Sequence, residues 1–105
     1  MKKFKLVILK NDGPEYKFNK GKPFTLPVWT VDKHEDALDE CLKNTKDMKP
    51  EEKDKELRYY IILRSLREID DSITYDLLKI MHPEDLFDLF EAVYSAGKRG
   101  ILFQE

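Results

Sequence analysis

Leu57-Arg58-Tyr59-Tyr60-Ile61-Ile62-Leu63-Arg64-Ser65-Leu66-Arg67-Glu68-Ile69 is the stretch that decides the fold. Leu57, Tyr60, Ile61, Ile62, Leu63, Leu66 and Ile69 form a wide apolar arc, and the run from Tyr59 to Leu63 covers every side of a helix at its middle. A helix that is apolar all round is buried from several directions or covered by another subunit. Its start is read at Pro50, because proline suits the first helical position, and Glu51 and Glu52 complement the positive end of the dipole. Asp70-Asp71-Ser72 stops it, so the sequence predicts a central helix over about 50–69.

On the C-terminal side, Thr74 or Ser72 caps a short helix carrying Tyr75, Leu77, Leu78, Ile80 and Met81. His82-Pro83 breaks it, since the residue before proline avoids the α region. Pro83-Glu84-Asp85 opens a last helix. There Leu86, Phe87, Leu89, Phe90, Val93 and Tyr94 share one broad side, and Asp85, Asp88 and Ser95 take the other. Gly97 is read as its C-terminal cap, before an apolar tail of Ile101, Leu102 and Phe103. On the N-terminal side, residues 43–56 carry mixed charge and begin as a loop. Asp32 and Glu35 form a capping pattern for a helix ending near Asn44, with Ala37, Leu38, Cys41 and Leu42 as its apolar stripe.

The first thirty residues differ in texture. Phe4 to Leu9 reads as a strand that ends in the turn signal Asn11-Asp12-Gly13-Pro14, and Tyr16-Lys17-Phe18 returns antiparallel. Alternation puts Phe4, Leu6 and Ile8 on one face and Lys3, Lys5, Val7 and Leu9 on the other. Phe24 to Val31, punctuated by Pro27, is an edge strand or a crossover. The fold class is α+β: a short N-terminal antiparallel β element of two or three strands, then a bundle of about four helices. A single domain over 1–105 divides into a β element (1–31), a helical body (32–97) and a tail (98–105).

Composition limits the function. Of 105 residues, 41% are apolar and 38% charged, with 19 Lys+Arg against 21 Asp+Glu. That excludes full disorder and a binder of nucleic acid by bulk positive charge. The balance conceals a segregation, +5 over residues 1–27 and −7 over 28–105. The longest apolar run is too short for a membrane helix, and no signal peptide is expected from the reading of Met1 to Lys5. One cysteine, Cys41, makes no internal disulfide, which suits a reducing cytoplasm. His34 is read as an exposed helix residue, His82 as part of an inter-helix turn, and Cys41 as a buried thiol. Neither histidine has a partner at metal-ligand spacing, and there is no H-E-x-x-H, C-x-x-C, Walker A or G-x-S-x-G. The acid pairs fall at helix starts and on polar faces, where capping and solvation explain them. No metal, cofactor or catalytic residue is expected, and the chain is read as a non-enzyme.

What remains is surplus apolar surface. Leu86, Phe87, Phe90, Tyr94, Ile101, Leu102, Phe103 and Trp29 are the candidates for partner binding or self-association. For the tail, packing back on the core is the competing reading.

The succession Tyr60-Ile61-Ile62-Leu63-Arg64-Ser65-Leu66-Arg67-Glu68-Ile69-Asp70, Ile73-Thr74, Leu77-Leu78, Met81-His82-Pro83-Glu84-Asp85-Leu86, Leu89-Phe90, Val93-Tyr94 and Gly97 resembles the small tail assembly chaperones of long-tailed, siphovirus-type bacteriophages of Gram-positive bacteria. The likeness spans roughly residues 55–97. It implies a non-enzymatic protein of the host cell cytoplasm, absent from the mature virion, that coats the tape measure protein and keeps it soluble until the tail tube forms around it. It also implies that a longer form made by frameshifting accompanies the short one. A homo-oligomer is expected from the physics, since many weak sites along one long client raise overall affinity. The competing readings are a small adaptor for one folded partner and, further off, a nucleic-acid-binding regulator. No membrane or nucleic-acid partner is expected.

Overall fold

The computed structural model describes residues 3–9, 13 and 15–98. It has strands β1 (Val7–Ile8) and β2 (Tyr16–Lys17), a tight turn Phe18–Gly21, and helices α1 (Val31–Asn44), α2 (Pro50–Leu66), α3 (Tyr75–Lys79) and α4 (Pro83–Ser95). This is the α+β class read from the sequence. The central helix is covered by the chain itself: α1, α3 and α4 all pack on α2. Tyr60, Ile61, Ile62, Leu63 and Leu66 are buried there together with Ile73, Leu78 and Val93.

Helix α1 lies against α2 through small residues. Ala37 and Cys41 are buried, whereas Leu38 and Leu42 stay exposed, so only half of the expected stripe enters the core. Burial pushes the Cys41 thiol above its usual pKa, as a buried, unreactive cysteine requires. Ion pairs fasten the outer side: Arg64 to Asp36 at 3.1 Å, Arg67 to Glu40 at 3.2 Å and Lys33 to Glu68 at 2.9 Å.

The helix ends correct the sequence reading in two places. Thr30, not Asp32, caps α1, its side-chain oxygen accepting from the Lys33 N–H at 3.4 Å. Helix α2 stops at Leu66, and the Ile69 and Asp70 N–H groups both bond the Leu66 carbonyl in a closing turn. Thr74 caps α3, accepting from the Leu77 N–H.

In the β element, Ile8 is buried and Phe4 and Leu6 are half-buried, while Lys3, Lys5, Val7 and Leu9 are exposed. The ladder pairs Val7 with Lys17 and Ile8 with Tyr16. The third segment joins the β element by a bridge of Phe24 with Phe4 and by the Phe24 ring on Phe18, and then crosses to α1. Most of the expected Asn11–Pro14 turn lies outside the described residues.

Strand β2 is ended by its own backbone. Asn19, Lys20 and Gly21 take left-handed φ values of 55°, 56° and 78°. Asparagine and glycine tolerate this region, and Lys20 carries the strain. The turn is tied to the end of α2: the Asn19 N–H donates to Asp70 Oδ2 at 2.7 Å. Asp70 Oδ1 accepts from the Ser72 N–H at 3.0 Å and hydroxyl at 2.7 Å, and Ser72 Oγ lies 2.8 Å from Tyr16 Oη.

The Ser72 hydroxyl first, then the Ser72 N–H, hold the Asp70 carboxyl below its ordinary 3.8; burial opposes them, and the Asn19 N–H adds a smaller pull downward. A depressed carboxylate contributes stability that is fully present above the ordinary pKa and is lost as pH falls through the lowered one. Wild-type stability is therefore expected to fall below about pH 4. Asp70→Asn should be less stable at pH 7 and lose part of that acid sensitivity. Parallel urea titrations of both proteins from pH 7 to pH 2.5 check this, and superimposable pH profiles would refute it.

Candidate functional site

Helix α4 begins where proline allows it. His82 Nδ1 accepts from the Glu84 N–H at 3.1 Å, so the inter-helix histidine is the cap. From that start, 3.6 residues per turn set the faces. Val93 is fully buried, and Leu86, Leu89, Phe90 and Ala92 are half-buried against the core. Phe87 and Tyr94 remain 50% and 52% exposed. Phe87, Phe90 and Tyr94, at i, i+3 and i+7, make an aromatic edge, with Phe90 and Tyr94 stacked at 5.6 Å and 12°. Glu84, Asp88 and Glu91 lie on an exposed face of the same helix.

The edge continues onto the start of α1. Gly97 turns the chain at φ 77°, directly beside Val28, and the Trp29 N–H donates to the Ala96 carbonyl at 2.9 Å. The Trp29 ring meets His34 edge-on at 6.1 Å, and His34 meets Tyr94 at 6.0 Å. His34 is therefore half-buried in an aromatic row, which corrects its reading as an exposed helix residue. Beside it lies a hollow of about 360 Å³ lined by Trp29, Val31, His34, Tyr94, Ala96 and Lys98. Val31 is 73% exposed at its edge. Trp29 is half-buried, and its Nε1 is enclosed without a hydrogen-bond partner among the described residues.

Of the sequence candidates, the structure groups Trp29 and Tyr94 at one end of α4 and Leu86, Phe87 and Phe90 at the other. Ile101, Leu102 and Phe103 lie outside the described residues. Sequence reasoning missed Val31, Leu38 and Leu42, which are exposed along one face of α1. Their spacing of seven and four residues was a readable signal.

The second site element is a cleft of about 200 Å³ at the start of α4, lined by Arg58 and Tyr59 of α2, by Leu78, Lys79 and Met81, and by Pro83, Leu86, Phe87 and Phe90. Tyr75, which packs on the Tyr59 of its wall, donates from Oη to Glu56 Oε2 at 2.6 Å, and burial together with that carboxylate pushes the phenol above its usual pKa. Tyr59 and Tyr75 pack at 5.2 Å.

Among the described residues, no group of acids, histidines or cysteine is arranged to hold a metal ion. None of the described helices is long and apolar enough to cross a membrane. No family model matches the chain, and neither a curated protein nor a solved structure matches it.

Proposed function

We propose that the chain is a non-enzymatic binding and assembly protein: a phage tail assembly chaperone that coats the tape measure protein in the host cytoplasm and associates with copies of itself. The observation that carries the reading is the aromatic edge of α4, with Phe87 and Tyr94 half exposed on a charge-rich body. An apolar helical client is bound by such an edge through side chains spaced along one helix face. Charge segregation supports self-association, because a basic β element on one copy attracts the acidic helical body of the next.

Co-expression tests it. A long coiled tape measure protein should move into the soluble fraction with the wild-type chain. It should stay insoluble with Phe87→Asp/Tyr94→Asp, a variant whose circular dichroism should match wild type because both sites are exposed. Client that precipitates equally with and without the wild-type chain overturns the reading. Light scattering that shows only monomer at high concentration overturns the self-association.

A further inference from the structure

We propose that the cleft between α2, α3 and α4 is an anchor site for an amphipathic helix of a partner protein, taking one large apolar side chain flanked by a carboxylate. The inference deepens the binding reading above and rests on it.

The size of the cleft selects the occupant. Its volume of about 200 Å³ is below the roughly 300–1,000 Å³ of small-molecule pockets and fits a single inserted side chain. Buried Leu78 contributes to its lining, and Pro83, Leu86, Phe87 and Phe90 supply a wall at i, i+3, i+4 and i+7. That spacing suits an approaching helix.

Charge selects the flank. Arg64, Arg67 and Lys33 each pair with a carboxylate. Arg58 and Lys79, which line the cleft, pair with none among the described residues. The Arg58 Nε reaches only the Lys55 carbonyl, at 3.4 Å. Lys79 Nζ lies over the Tyr59 ring at 4.9 Å and the Tyr75 ring at 5.7 Å, which holds its charge in place without neutralising it. Glu56 is engaged by Tyr75. An apolar slot with two uncompensated cations on the α2–α3 side complements an apolar anchor with an acid one turn away. The exposed Glu84, Asp88 and Glu91 of α4 repel that acid from the other side, which fixes the direction of the incoming helix.

The probes are two fluorescein-labelled helical peptides with the same leucine and phenylalanine stripe, one with glutamate flanking the anchor and one with lysine. By anisotropy the glutamate peptide should bind roughly tenfold tighter, a preference lost at high salt. Arg58→Glu/Lys79→Glu should invert the preference. Arg58→Gln/Lys79→Gln, which keeps side-chain length, should flatten it at unchanged helical content. Equal affinities, no binding, or a preference that survives both variants overturns the proposal. Self-association abolished by Arg58→Glu/Lys79→Glu, with no peptide bound, assigns the cleft to a second copy and also overturns it. The two readings fail separately. If the charge-reversed chain still solubilises the tape measure protein, the cleft proposal falls and the chaperone reading stands. If the peptides discriminate while that client precipitates, the chaperone reading falls and the cleft stands.

Discussion

Phe18→Ala should lower the unfolding free energy by about 3–5 kcal/mol, the usual cost of deleting a buried phenyl ring. For a domain whose total is typically about 5–15 kcal/mol, that is a large share. The Phe18 ring has no exposed surface and meets Phe24 edge-on at 4.8 Å. Its N–H is bonded to the Leu6 carbonyl at 3.0 Å, and the left-handed turn follows it immediately. The surroundings cannot collapse into the vacated space without breaking the Asn19–Asp70 tie, so the cavity should persist. Urea unfolding followed by helical circular dichroism measures the effect, because a joint core makes the helices report the loss of a ring in the β element. A midpoint that stays at the wild-type value would show that the β element and the helices unfold separately.

Gly97→Ala should cost about 2–4 kcal/mol, from two separable causes. A side chain at φ 77° is strained by about 1–2 kcal/mol. The new Cβ would also stand 2.5 Å from Val28 Cγ1 and 2.8 Å from Cγ2, an overpacking that typically costs about 1–3 kcal/mol. Val28 is 53% exposed and gives way in part, which keeps the sum below the two maxima. In a double-mutant cycle, Val28→Ala should restore most of the packing loss and none of the backbone strain. Additive single effects would show that the chain at Val28 and the end of α4 do not touch in solution. Gly13, with φ outside the left-handed region and nothing within 4 Å of an added Cβ, is the control, and Gly13→Ala should change little.

Much of this architecture was legible because its signals are local. Pro50 and Pro83 mark the starts of α2 and α4 at the observed residues, and the alternation of Phe4, Leu6 and Ile8 gives the inward face of the first segment. The cap of α1 was misplaced because Asp32 and Glu35 imitate a capping box, whereas the backbone turns helical one residue after Thr30. The candidate site was legible only in part. Spacing finds the broad apolar side of α4, but where α2 lies against it decides that Val93 is enclosed and that Phe87 and Tyr94 are left out. His34 was read as exposed because its neighbours in space, Trp29 and Tyr94, come from different segments. The ion pairing of Arg64 and Arg67, and the lack of it at Arg58 among the described residues, are likewise tertiary facts.

The bond between Asn19 and Asp70 spans 51 residues, and the contact of Tyr16 with Ser72 spans 56. Helices α1 and α2, by contrast, are joined by residues 45–49 alone. Closing a short loop costs less chain entropy than closing a long one, and contacts between near neighbours form sooner. The order of assembly follows. The α1–α2 pair is expected to form first as a hairpin, with α3 and α4 adding to the exposed side of α2 and the β element docking last, when Asp70 already stands at the end of a completed helix to receive it. Until that docking, the apolar face of the β element, where Phe18 and Phe24 pack on each other, is not yet closed against the helices. It is in this late interval, rather than in the finished fold, that the new chain is most vulnerable to sticking to its neighbours.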